Sequence, residues 1–339
     1  MRGAGAPLAA LALLLLAGCG SADHNPPAAE PAVSPPLSAR PTGELLRLGG
    51  EAEGVAIDPR TGLAAVSLRG PNRIELIDVG TGRTAKRITT GDPARHLSLA
   101  APGGPVLAPI EYRDELLEIE LPSGRTSSIA VGDFPHDAAP SDGRIFVSDE
   151  GGDTVSVISG GGSEAELAVP EQPGGIAAAN GAVAVVAVAA REVAFIDASS
   201  LRRIGTAPGG AGPSHVVAGP GGGPAGDDDR FYVVDTGGDA VLVYAGGDDP
   251  HLLDRANVPG SPYGIAVDER QGRIWVTQTA LNRVVEMKVT ELAPKIIASY
   301  PTVRQPNSVA VDARSGRVVV VGRDHGEVQI LDPGDETAR

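Results

Sequence analysis

A chain of 339 residues with 42% hydrophobic and only 3% aromatic content has enough apolar mass for a large core, and must fill it with Val, Ala, Ile and Leu. The formal net charge of −15 excludes nucleic acid and argues against direct adhesion to anionic lipid, because either partner needs a basic stripe to displace counterions. A single cysteine excludes an internal disulfide, so rigidity has to come from packing.

Residues 1–18 read as a leader. Arg2 precedes the apolar run Leu8 to Leu16, which is too short for a comfortable membrane span and ends in Ala17-Gly18-Cys19. Leu16-Ala17-Gly18-Cys19 resembles the bacterial lipobox, in which the cysteine sulfur takes a diacylglyceryl group and becomes the new N-terminus. Cys19 is the only cysteine and falls where that motif demands it; the alternative is an ordinary secretory signal with a coincidental cysteine. Lipidation at Cys19 implies a protein held at the cell membrane on its extracytoplasmic face, since two acyl chains anchor stably where one does not. Residues 19–42 carry six prolines after Ser21 and almost no large apolar residue, which predicts an extended tether. His24 in this segment is assigned no role.

From 43 to 332 the chain repeats. The clearest unit runs from Ser261 to Ser299, with apolar runs Ile265 to Val267, Ile274 to Val276, Val284 to Val289 and Ile296 to Ala298 separated by turn-forming residues, and these predict four short strands. Equivalent positions fall at Gly54, Arg95, Asp137, Gly175, His215, Gly264 and Ser308, in steps of 41, 42, 38, 40, 49 and 44 by subtraction. Four strands per period near forty predict an all-β, seven-bladed β-propeller. The longest step holds Gly219 to Asp229, an inserted loop between the first two strands of blade 5. The seventh unit has only three strand candidates before the polar tail, 333–339. Glu44 to Leu48 is the right length to supply the fourth, which would close the ring by joining the chain's two ends in one sheet.

Gly143 to Asp149 with Thr154 to Ile158, and Gly264 to Asp268 with Asn282 to Val285, resemble YVTN- and NHL-type propeller repeats. Trp275, the sole tryptophan, removes the Trp-Asp blade signature and the tryptophan docking pattern of quinoprotein propellers. The resemblance covers all seven blades and implies relatives as different as YncE-like surface-binding proteins, sugar lactonases and streptogramin lyases. Fold analogy alone does not choose among them.

In a propeller, the loops leading into each first strand and those between second and third strands share one face. On that face the sequence places Glu53, Arg95, His136, Asp137, Ser214, His215, Tyr263 and Asn307, together with Arg69, Glu111, Tyr112, Arg113, Asp149, Glu150, Asp235, Gln278, Arg323, Asp324 and His325. Glu53, Arg95, His136, Asp137, His215, Tyr263 and Asn307 are the candidate ligand-binding set; His136, Asp137 and His215 are also the candidate ligands for a divalent metal, although no cofactor is expected. The plainer alternative is a mouth lined by polar groups that bind only water or a partner. His96, aligned with Ile265 and Val309, reads as a hydrogen-bonded core histidine. His325 and His251 read as solvated.

Other patterns carry nothing. Gly221, Gly223 and Gly226 fit G-x-G-x-x-G but precede Asp227 to Asp229, which would repel a pyrophosphate. D-x-G-G-D at Asp149 to Asp153 and Asp235 to Asp239 reads as a tight turn, with Gly supplying positive φ and Asp bonding the backbone, rather than a calcium loop. There is no nucleophile elbow, H-E-x-x-H motif or spare cysteine. The expectation is therefore a monomeric binding module for a protein, glycan or small polar ligand. The alternatives are a metal-assisted lactonase or lyase, with His136 or His215 as base and Asp137 or Glu53 positioning the metal, and a purely structural envelope protein.

Overall fold

The computed structural model describes residues 1, 29–221 and 230–334. The body of the leader, Cys19, His24, Gly223, Gly226, Asp227 to Asp229 and the end of the tail lie outside them.

Seven four-stranded antiparallel sheets follow one another along the chain and pack face to face as the blades of a ring, a seven-bladed β-propeller. Blade 6 is typical, with strands Pro262–Asp268, Arg273–Gln278, Arg283–Lys288 and Lys295–Pro301. Three of these strands are longer than the apolar runs that predicted them, because ladder hydrogen bonds continue into flanking polar residues; the third, Arg283–Lys288, has the length of its run and is shifted by one residue. Position in the blade explains the spelling. Second strands such as Ala182–Ala187 have a neighbour on both faces and are buried throughout, whereas rim strands such as Gly162–Ala168 are largely exposed. Between blades the filling is mostly Val, Ala, Ile and Leu; a wider gap between blades 4 and 5 is filled by Phe195, Phe231 and Tyr244, with the two phenylalanine rings edge to face at 5.8 Å.

Blade 7 takes Pro306–Val311, Val318–Gly322 and Glu327–Leu331 from the end of the chain, and Glu44–Arg47 from its beginning. Leu46 lies opposite Val328 in this antiparallel pair, so the ring is closed as its repeat count requires. The buried Gln329 amide fastens the join from inside, donating to the carbonyls of Thr42 at 2.6 Å and Pro301 at 3.0 Å. In blade 5 the first two strands, Pro213–Gly219 and Arg230–Asp235, flank the inserted loop.

One irregularity recurs and positions the site. In six blades the inner strand slips register near its start, after its second residue in blade 1 and after its first in the other five, as between Pro135 and Asp137, Pro213 and Val216, or Pro262 and Ile265. A bulge of this kind re-aims the side chains it contains. Blade 2 goes further: its inner strand shrinks to Ser98–Leu99, with an isolated bridge from Ala94 to Ile110 upstream. That bridge makes Ala94 the counterpart of Pro135. His96 therefore aligns with Gly54, Asp137, Gly264 and Ser308, one position away from the alignment with Ile265 and Val309 read from the sequence.

Residues 29–42 are not a free spacer. Ser34 is 2% exposed, and the segment lies across the loops of blades 6 and 7 before reaching Glu44.

Candidate functional site

The bulges exist because second-strand hydroxyls hold them. Ser67 Oγ accepts the Gly54 amide at 2.8 Å and donates to the Arg95 carbonyl at 3.1 Å; Thr277 Oγ1 accepts the Gly264 amide at 2.8 Å; Ser148 Oγ lies 3.2 Å from the Asp137 amide and donates to the Gly174 carbonyl of the next blade. Glycine is needed at Gly54 and Gly264, where an added Cβ would come within 2.5 Å and 2.7 Å of the neighbouring blade's carbonyl oxygen. Sequence reasoning passed over these hydroxyls, although a Ser or Thr inside an otherwise apolar second strand was a readable signal.

The candidate set meets at one end of the axis. His215 Nε2 and His96 Nε2 are 3.0 Å apart, although blades 2 and 5 stand across the ring from each other, so this hydrogen bond spans the channel and closes it. His136 stacks obliquely on His96 at 4.8 Å, and Tyr263 meets His215 edge to face at 4.5 Å. Arg95 donates to His136 Nε2 at 3.0 Å, which leaves the imidazole proton on Nδ1, facing Gly174. Burial, then the neighbouring imidazoles and Arg95, hold His96 well below the ordinary histidine range; burial and Arg95 do the same to His136, and lower His215 to about 4. All three rings are neutral near pH 7.

Around them runs an alternating ring of charge. Glu111, 1% exposed, receives Arg95 at 2.9 Å and Arg69 at 3.0 Å. Glu53 lies between Arg95 at 3.7 Å, Arg323 at 3.8 Å and Arg69 at 3.9 Å. Glu150 approaches His136 at 3.8 Å and accepts the Gln172 amide at 2.7 Å. Burial raises Glu111 although two guanidiniums oppose it, and Arg95 stays firmly charged because Glu111 and Glu53 outweigh its own desolvation.

Asp137 faces elsewhere. Its carboxylate accepts the amides of Ala138 at 2.8 Å and Ile176 at 3.3 Å, yet burial pushes it up to about 7. Asn307 is buried beside Gln305, whose Nε2 is 3.3 Å from its side-chain oxygen. The three candidate metal ligands are thus engaged separately: His136 Nε2 with Arg95, His215 Nε2 with His96, Asp137 with backbone. Among the described residues no group of three or more His, Cys, Asp and Glu is arranged to hold a metal ion.

Other predicted residues stay outside the cluster. Asp235 is saturated by the amides of Ala211, Gly212 and Gly238 at 2.7 to 3.1 Å. Asp149 accepts Thr154 and Ser156 hydroxyls, and burial raises it to about 6. Positive φ in these D-x-G-G-D turns falls on the last aspartates, Asp153 and Asp239, not on the glycines. Glycine is required there for space instead: a Cβ on Gly238 would collide with the Asp235 carboxylate. Gln278 donates to Pro259, Asp324 pairs with Arg304, Arg113 pairs with Glu115, and His325 is exposed. Tyr112 is 65% exposed against Phe134.

Two cavities adjoin the plug. Below it a channel of about 390 Å³ is lined by inner strands from Val55 in blade 1 to Val309 in blade 7. Above it only about 40 Å³ remains between Arg95, His136, Tyr263 and His215, roofed by Ala29 and Glu30 of the N-terminal segment.

No family profile and no curated protein sequence matches the chain. Among solved structures it is similar to hydrazine synthase of Kuenenia stuttgartiensis, with a TM-score of 0.71 at 14% identity over 85% of this chain and 97% of that one. Virginiamycin B lyase of Staphylococcus aureus superposes at a TM-score of 0.67 and 13% identity over 85% and 99%, and the WD40 repeats of RRP9 at 0.71 and 11% over 86% and 98%. These likenesses show the propeller fold, which enzymes and interaction modules share.

Proposed function

We propose that this chain is an interaction module, anchored through Cys19 on the extracytoplasmic side of the membrane, that receives a protein partner on the face carrying Arg95 and Tyr112. One observation carries the reading: the ionisable groups at the mouth pair with one another, and although Glu53 Oε2, Arg69 Nε, Arg95 Nε, His136 Nδ1, Glu150 Oε2 and His215 Nδ1 keep no hydrogen-bond partner, little space is left between them. A catalytic site needs a base or nucleophile facing room for a substrate. On the mouth side of the plug the space is about 40 Å³, little more than one water molecule occupies; the roomier channel of about 390 Å³ lies on its other side, behind His96 and His215. Rigid loops on a broad face, with the exposed Tyr112 ring backed by Phe134, suit recognition instead.

A photocrosslinker at Tyr112, introduced in intact cells, is expected to trap one protein. The same group at Leu292, exposed on the opposite face, is the control. Equal capture at both positions overturns the reading. Cys19→Ser is expected to move the protein from the detergent phase to the aqueous phase.

A second reading has its own support. The fold is shared with a lyase, and Asp137, which burial pushes up to about 7, lines the channel below the plug together with the neutral rings of His96 and His215, an acid and bases on one cavity wall. If a metal assists that chemistry, a stoichiometric divalent ion will raise the melting temperature, and His136→Ala will abolish the rise.

A further inference from the structure

The N-terminal segment shows how the partner-binding face holds a polypeptide. Ser34 is fixed through its main chain and its hydroxyl: its amide donates to Gln305 Oε1 at 2.8 Å, its hydroxyl donates to the Thr279 carbonyl at 2.5 Å and accepts the Gln305 amide at 3.1 Å, and its carbonyl accepts Arg304 at 2.9 Å. On either side the contacts are to backbone alone. Ala32 donates its amide to Ser261 Oγ at 3.1 Å and accepts Gln305 Nε2 at 2.9 Å, and the Pro35 carbonyl accepts Asn282 Nδ2 at 2.9 Å. Side chains contribute little, for Val33 is 85% exposed and residues 35–40 all face solvent.

The receiving groove is built rather than incidental. Gln305, Asn282 and Thr279 are 8%, 6% and 0% exposed with the segment in place. Ser261, Asn282 and Gln305 hold left-handed backbone, at φ of 55°, 51° and 54°; Phe134 and Gln172, and Asp114, Asp153, Arg191 and Asp239, do the same at the equivalent turns of other blades, so the groove uses the rigid turns of the repeat and is distinguished by the side chains it places on them. The Ser261 and Gln305 carbonyls in turn accept the amides of Thr279 and Arg323, which locks the walls. Ring closure does not depend on the occupant, because Glu44–Arg47 and Thr42 make their own bonds to blade 7 and its neighbour.

We infer that the groove between blades 6 and 7 is a binding site for an extended, proline-flanked Ser peptide, and that residues 32–35 occupy it as an internal stand-in that a partner segment displaces. The groove reads main chain and one small hydroxyl, and prolines at 31, 35 and 36 favour the extended conformation it accepts. Release of the segment also lifts Ala29 and Glu30 from the space above Arg95 and Tyr263, so the groove and the axial mouth open together. This inference names the partner for the interaction reading above and rests on it.

The test uses Ser34→Arg in the otherwise complete chain, since arginine does not fit a position 2% exposed and Ser34 belongs to no blade. Hydrogen exchange is expected to show residues 32–35 unprotected, with the melting temperature of the ring retained. A fluorescent peptide of residues 30–37 is expected to bind this variant at least tenfold tighter than the parent, in which the attached segment competes at an effective concentration of about millimolar. Adding Gln305→Ala is expected to remove that binding. Retained protection of residues 32–35 in Ser34→Arg, or no peptide binding by a folded variant with the segment released, overturns the inference. If the peptide fails to bind while Tyr112 still traps one protein, the interaction reading stands without this groove; if it binds while nothing is trapped, the groove stands without that reading.

Discussion

The two sides of the axial mouth solve the problem of buried polarity differently. Toward blades 1 to 3, with Arg323 from blade 7, Arg69, Arg95, Glu53, Glu111 and Glu150 neutralise one another across blade boundaries. Toward blades 5 to 7 most of the groups are hydroxyls and amides, Ser214 with Thr236 at 2.8 Å, then Ser261, Asn282 and Gln305, and the charges are fewer: Asp235, held by backbone amides, and the Arg304–Asp324 pair. A guanidinium or carboxylate buried without its opposite is strongly destabilised, so each charge on that side keeps an opposite within 4.0 Å, although Glu53 Oε2, Arg69 Nε, Arg95 Nε and Glu150 Oε2 make no hydrogen bond. Amides and hydroxyls both donate and accept, which is what a passing main chain also does. The side poorer in charge, which we call the neutral side, is the one on which the chain's own segment lies, with Arg304 the one cation, among the described residues, that holds it.

The sharpest way to break this contrast is Arg95→Ala, which leaves Glu111 with Arg69 alone and Glu53 with Arg69 and Arg323 at 3.9 Å and 3.8 Å. It is expected to lower unfolding free energy by about 3 kcal/mol or more, measured by urea denaturation. On the neutral side Asp235→Ala leaves the amides of Ala211, Gly212 and Gly238 without their acceptor, with an expected loss of about 2 kcal/mol.

Titration separates the imidazoles from the carboxyl among them. His215 titrates near 6.5 when unfolded and about 4 when folded, so the unfolded chain binds the extra proton and stability falls as pH drops through that window. Asp137 acts in the opposite sense: pushed up to about 7, it keeps a proton that the unfolded chain has released, so its contribution is lost as pH rises from about 4 to about 7. His215→Gln is expected to flatten the acid-side fall in melting temperature, and Asp137→Asn to steepen it. The smallest effect belongs to Gln305→Ala, which is expected to raise hydrogen exchange at residues 32–35 while changing the global unfolding free energy by about 0.5 kcal/mol or less, because the docked segment lies outside the ring.

The ring was legible because it is arithmetic. Seven units, one short of a strand, and Glu44 to Leu48 unassigned upstream left one way to close, and the observed pairing of Leu46 with Val328 is that closure. That Glu53, Arg95, His136, His215 and Tyr263 lie at one mouth was also legible, since each stands at or just before the entry of an inner strand. Their pairings were not. Whether His215 meets His96 or a metal depends on distances across the axis, and residues 119 apart in sequence carry no local trace of them. The shift of His96 by one position has a similar origin: Pro93-Ala94-Arg95 looks like Pro135-His136-Asp137, but the bridge from Ala94 to Ile110 sets the register. Docking of residues 29–36 left no pattern at all, because backbone atoms make nearly every contact and Ala, Pro and Ser give no periodicity.

The Ser34 latch also has a mechanical meaning. Tension applied to the chain upstream of Ala29 meets the Ser34 contacts before it reaches Glu44, the first residue of a four-residue strand that a pull from this end would peel bond by bond. The latch therefore behaves as a fuse, yielding first and lengthening the leash while the circle stays shut.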